Sequence, residues 1–269
     1  VKHLEFDALI GGTGDTGSEQ TVVFLHGGNV AGWMWGEQVP AFDAFHVLVA
    51  DLPGFGASND EEWTDMSAAA DAVAALIRER ANGGTAHVIG LSLGAGVGLH
   101  LALRHPEVVT SLLISSASVT PPSRAAVAMG RVMLAAWNRR WFWRALAKGY
   151  GLPADSVDLF VETGLGIKRE TALAIFAETK RGFSAEQLAA VGVPTLAVAG
   201  DRDAPAIATE SLGAIRERVP GAIVATAPGM HHQWNIENIA LFNAMATTWV
   251  REGRVASGML RHREQTLRE

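Results

Sequence analysis

Short, largely apolar runs recur along the chain at residues 22–25, 47–50, 87–89, 111–114, 195–198 and 223–225. Most are separated by stretches with apolar side chains at helical spacing, at 64–81, 94–104, 205–219 and 236–251. Runs this short, without polar alternation, predict strands buried on both faces. The strand, helix, strand order predicts a mostly parallel sheet with helices on both sides, so the expected fold class is α/β.

The rhythm changes between residues 119 and 187. Helical spacing recurs there at 123–148, 154–165 and 169–181 with no strand run between, Pro121-Pro122 opens the segment and Gly192-Val193-Pro194 follows it. The expected organisation is a core of residues 1–118 and 188–269 with an inserted helical cap at 119–187. Its Trp137, Trp141, Phe142 and Trp143 read first as helix packing. Over a site at the sheet edge they become a lid, which makes Trp137 and Trp141 candidates for its pocket. Residues 84–103 carry no Asp, Glu, Lys or Arg over a length that would span a bilayer, but their glycines fit a buried strand, tight turn and helix better.

Composition narrows the picture. The chain has 269 residues, 48% hydrophobic and 19% charged, enough for one large core. Net charge is −6, with no basic stripe to displace counterions from phosphates, so a nucleic-acid partner is not expected. There are no cysteines, which excludes disulfides and thiolate ligands or nucleophiles. No histidine pair has metal-ligand context, and neither metal nor cofactor is expected. Residues 1–7 show no basic region followed by an apolar run, so the expectation is a cytoplasmic protein without a membrane span. Oligomeric state is not legible.

The chemistry gathers in turns that follow the strand runs: residues 26–29, 51–54, 90–94 and 200–203. The carboxyl ends of parallel strands share one sheet edge, where ligands collect in α/β proteins. Gly90-Leu91-Ser92-Leu93-Gly94 is a Gly-x-Ser-x-Gly between a strand run and a helix run, the pattern of a nucleophile elbow. Its glycines are expected where a β-carbon would collide, and the Leu93 amide would face the group that Ser92 attacks. A serine nucleophile needs a base and an orienting acid. A carboxylate is offered by Asp201 or Asp203 and an imidazole by His231 or His232, each on a loop after its own strand.

Here the sequence resembles the α/β-hydrolase superfamily over nearly the whole chain outside the helical insertion. His26-Gly27-Gly28 is similar to the family's His-Gly-x turn, and the stretch from Asp51 to Ser58 to its Asp-x-x-Gly-x-Gly-x-Ser loop. The resemblance implies that the Gly28 and Leu93 amides form an oxyanion hole. The family's Gly-x-x-Asp implies Asp203 as the acid and Asp201 as a loop residue. The family's spacing from histidine to Glu and Phe, met at Glu237 and Phe242, implies His232 as the base, although His231 occupies the usual glycine position. Asn29, Trp33 and His231 join Trp137 and Trp141 as candidate pocket residues.

The expected function is a serine hydrolase that cleaves a carboxylic ester or lactone, with a small-molecule acyl substrate. A carbon–carbon bond hydrolase of the same fold, or a small-ligand receptor with vestigial hydrolysis, is the alternative. His26, His87 and His100 read as turn or core residues.

Overall fold

The computed structural model describes residues 2–4, 20–149, 152, 154 and 156–261; the early residues after Leu4 and the end of the charged tail lie outside these. Among the described residues eight strands form one sheet: β1 (Lys2–Leu4), β2 (Thr21–Leu25), β3 (His46–Asp51), β4 (Ala86–Leu91), β5 (Val109–Ser115), β6 (Thr195–Gly200), β7 (Ile223–Ala227) and β8 (Leu260–Arg261), in the order β1-β3-β2-β4-β5-β6-β7-β8. The six inner strands run parallel, and β1 and β8 close the edges antiparallel. Every residue of β2, β4 and β6 is buried, so both faces of the sheet are covered, as continuous apolar runs require. The two edge strands escape the sequence pattern because three and two residues are too short to show a period.

Helices α1 (Met66–Arg80) and α2 (Leu93–Arg104) follow β3 and β4. Asp65 caps α1 by accepting from the Ala68 amide at 2.7 Å. After β6 the chain makes a π-helical turn (Ala206–Ser211) that runs into α8 (Leu212–Arg218), and after β7 come α9 (Trp234–Glu237) and α10 (Ile239–Glu252). The helix expected over 236–251 is broken at Asn238, whose side chain caps the Leu241 amide at 3.1 Å.

Between β5 and β6 lie α3 (Arg124–Ala135), α4 (Arg140–Gly149), α5 (Val157–Gly166), α6 (Arg169–Thr179) and the short α7 (Ala185–Ala189). The spacing at 123–148 reads as one helix, but the chain breaks after α3. Trp143 Nε1 donates to the Trp137 carbonyl at 2.7 Å, satisfying a backbone acceptor at the break, and Trp137 Nε1 donates to the Ile167 carbonyl at 3.0 Å. Gly164 lets α5 lie on the Trp143 ring, which its β-carbon would meet. The segment is tied to the core by the Trp33 indole on Thr163 Oγ1 at 3.0 Å and by the Met66 amide on the Glu178 carboxylate at 3.0 Å.

Candidate active site

Ser92 stands between β4 and α2 at φ +54°, a left-handed conformation that costs a side-chain-bearing residue on the order of 1–3 kcal/mol. The neighbours enforce it. A β-carbon on Gly90 would be driven into the Gly94 carbonyl, and one on Gly94 into the Leu25 carbonyl at the end of β2. The Gly94 amide donates to the His26 carbonyl at 3.0 Å, which joins the elbow to the turn after β2. Ser92 is half-buried, and its hydroxyl makes no hydrogen bond among the described residues.

The turn after β2 brings Gly28 against the elbow. A β-carbon there would lie 3.7 Å from Leu93 Cβ, and neither the Gly28 nor the Leu93 amide has a hydrogen-bond acceptor among the described residues. Two free donors beside a serine at the start of a helix make a site for developing negative charge. The turn is fixed from beneath by His26 and Asp51. His26 is fully buried, and its Nε2 accepts from the Leu52 amide at 3.0 Å. This leaves the ring proton on Nδ1, which donates to the Gly27 carbonyl at 2.8 Å. Asp51 accepts from the Gly32 amide at 2.6 Å and the Ala57 amide at 2.8 Å, packed where a β-carbon on Gly56 would have to sit.

Burial pushes the His26 pKa down, against the attraction of Asp51 and the Gly27 carbonyl; burial also lowers His87 and His100. In the folded state these rings resist protonation, whereas in the unfolded chain they take up protons near pH 6.5. The stabilisation is therefore complete above that pH and is lost as pH falls toward the folded values, at up to about 1.4 kcal/mol per pH unit for each ring. Urea unfolding is expected to show stability falling from pH 7.5 to 5, with a smaller loss in His26→Gln. An identical loss in the variant would contradict a His26 ring that resists protonation in the fold.

Asp203 and His232 meet at the ends of β6 and β7. His232 Nδ1 lies 3.0 Å from Asp203 Oδ2 and 3.2 Å from Oδ1, and the Asp203 carboxylate is 4% exposed. Its Oδ1 also accepts from the Ala204 amide at 2.7 Å. Asp201 does something else: it accepts from the Gly229 amide at 2.6 Å and so braces the loop before the histidines. His231 turns outward, its amide and Nδ1 both held by the Glu237 carboxylate at 2.7 and 2.8 Å. Gly200 is required where the acid loop crosses the histidine loop, because a β-carbon would strike the Met230 carbonyl.

The end of β5, which carries no signal in the sequence, links these parts. The Ser92 amide donates to the Ser115 carbonyl at 2.8 Å, and the Trp234 indole donates to Ser115 Oγ at 2.9 Å. The next residue, Ser116, is fully buried at φ +52° and donates its hydroxyl to the His232 carbonyl at 3.1 Å. A serine closing an apolar strand run looks like any other strand end, so only the assembled sheet reveals the role.

The candidate pocket residues scatter. His231 lines a cavity of about 410 Å³ together with His232, Asp203, Arg202 and Lys148. Trp33 lines a second, of about 250 Å³, with Met34, Leu152 and Ile236. Asn29 is half-buried in the turn before Val30. Trp137 and Trp141 lie elsewhere. Trp137 is buried edge-to-face against Trp143, ring centroids 4.7 Å apart, because packing within the helical segment satisfies its apolar area. Trp141 points into solvent at 66% exposure, and neither ring borders either cavity. Among the described residues no cluster of acidic, histidine or cysteine side chains suits a metal ion, and no helix is long and apolar enough to cross a membrane.

The family model for the alpha/beta hydrolase fold matches residues 20–149, from β2 through the elbow and into α4. The chain belongs to the α/β-hydrolase fold superfamily. A superfamily protein from Gibberella zeae is 26% identical over 86% of this chain and 80% of its own length. A pimeloyl-[acyl-carrier protein] methyl ester esterase from Neisseria meningitidis is 36% identical over 42% of this chain, which spans only 45% of that relative. Among solved structures, the enol-lactonase from Burkholderia xenovorans superposes with a TM-score of 0.72 at 20% identity, covering 90% of this chain and 94% of that one, and shares the superfamily fold.

Proposed function

We propose that this chain is a serine hydrolase that cleaves a carboxylic ester or lactone through an acyl-enzyme. The observation that carries the reading is the strained, glycine-flanked Ser92 on the same sheet edge as the half-buried His232 paired with the buried Asp203 carboxylate. The esterase and lactonase among its relatives support the substrate class.

In the proposed reaction Ser92 Oγ attacks the carbonyl carbon while His232 Nε2 takes its proton, and the oxyanion lies on the Gly28 and Leu93 amides. The contact between serine and imidazole closes in the substrate complex. Collapse of the tetrahedral intermediate breaks the bond to the alcohol oxygen, which leaves with the proton from His232. Water, deprotonated by the same nitrogen, then attacks the acyl carbon and returns Ser92. Asp203 holds the proton on Nδ1, so that Nε2 is the free base. Residues 119–187 serve as the cap, positioned by the Trp33–Thr163 and Met66–Glu178 hydrogen bonds.

A fluorophosphonate probe is expected to label the intact protein on Ser92, as read by peptide mass spectrometry, and a chain-length series of p-nitrophenyl esters to show turnover. No labelling, or labelling at another serine, would overturn the reading. Turnover of a vinylogous diketone in preference to every ester would move the chain to carbon–carbon hydrolysis.

A further inference from the structure

Charge is divided unevenly along this chain. Residues 119–187 hold ten Lys and Arg against six Asp and Glu, whereas the remainder holds twelve against twenty-two. From Val108 to Ala154 there is no acidic residue at all. Exposed apolar side chains concentrate in the same segment. Of six large hydrophobics that stand out in solvent among the described residues, Met129, Val132, Trp141, Leu159 and Leu173 belong to it, and only Leu260 does not.

Helix α3 concentrates both properties. Gly130 lets it lie on α6, since a β-carbon there would enter the Phe176 ring, and Leu134 is buried. On the side away from α6, Ala125, Ala128, Met129, Val132 and Ala135 are all exposed and fall within an arc of about 120° at helical spacing. Arg124 and Arg131 border that arc and, like Arg139 in the turn beyond, form no ion pair among the described residues. By contrast, Arg140 and Arg144 are paired with Glu162 and Asp158.

We infer that this face of the cap docks on an anionic lipid surface. Protruding apolar side chains with unpaired arginines beside them suit the headgroup boundary, where the Met129 and Val132 side chains enter the acyl region and guanidinium groups meet phosphates. Met129 and Val132 are 60% and 64% exposed on the outside of the helix, so they project rather than line a groove that a protein side chain would fill. The inference is independent of the proposed hydrolysis, since none of these residues touches Ser92, Asp203 or His232.

The test is sedimentation of the full chain with phosphatidylcholine vesicles with and without about 30% phosphatidylglycerol, for wild type and the double variant Met129→Glu/Val132→Glu. The expected result is partition onto anionic vesicles, at least about tenfold weaker on neutral ones and reversed by about 0.5 M NaCl. The double variant is expected to lose about tenfold in partition while keeping its circular dichroism and its p-nitrophenyl acetate turnover, and the control Leu260→Glu is expected to bind like wild type. Absence of partition, or equal partition of wild type and double variant, would overturn the inference. A double variant defective only toward a soluble acidic protein would assign the face to protein recognition and overturn it equally.

Discussion

Replacing Ser92 by alanine is expected to lower kcat/KM on an activated ester by about 10⁴-fold or more, leaving only what the oxyanion donors and binding supply. The fold should not register the change. The Ser92 hydroxyl makes no hydrogen bond among the described residues, and alanine meets the same steric cost as serine at φ +54°. Glycine at this position should be equally inactive but more stable, by about 1 kcal/mol, because the left-handed strain is released and only part of the gain is returned as chain entropy. Steady-state kinetics with thermal unfolding of the three proteins checks both statements. An active Ser92→Ala protein would remove the nucleophile from the scheme. A Ser92→Gly protein no more stable than wild type would show that the elbow is not strained.

The Asp203→Asn substitution is the more searching test of the acid. Both Asp203 oxygens face His232 Nδ1, and Oδ1 is already claimed by the Ala204 amide. An asparagine that keeps its carbonyl on Ala204 must aim its NH₂ at the imidazole. The ring then places its own proton on Nε2, where it cannot accept from Ser92, and kcat should fall by about 10³–10⁴-fold with KM little changed. Asp201→Asn keeps an oxygen acceptor for the Gly229 amide and should cost less than about tenfold. If the Asp201 variant proved the more damaged enzyme, the assignment of the two carboxylates would have to be exchanged.

Much of this arrangement is legible in the sequence, for physical reasons. Inner strands of a parallel sheet are buried on both faces and so appear as apolar runs, and the elbow announces itself because two glycines are sterically compulsory beside its serine. What escaped was whatever depends on contacts distant in sequence. Ala136-Trp137-Asn138-Arg139 holds no glycine or proline and only Asn138 as a weak stop signal, and the chain turns there because the Trp143 indole and the buried Trp137 ring reward the turn. Trp141, four residues beyond Trp137, shares its chemistry but not its surroundings, and spacing alone could not assign one to the interior and the other to solvent. The proposed acid and base are narrowed by a resemblance rather than by local residue patterns. Their pairing exists only where β6 and β7 lie side by side.

The end of β5 has a mechanical consequence. The elbow amide and the histidine carbonyl hang from successive residues, Ser115 and Ser116, and the Ser116 amide is itself anchored to the Val198 carbonyl at 2.8 Å in β6, the strand that leads to the acid. A displacement of this part of the sheet is therefore expected to carry Ser92, His232 and the Asp203 loop with it together. Only their movement relative to one another would alter the distances that the proposed proton transfer uses. Three loops that would each wander in isolation share a single datum.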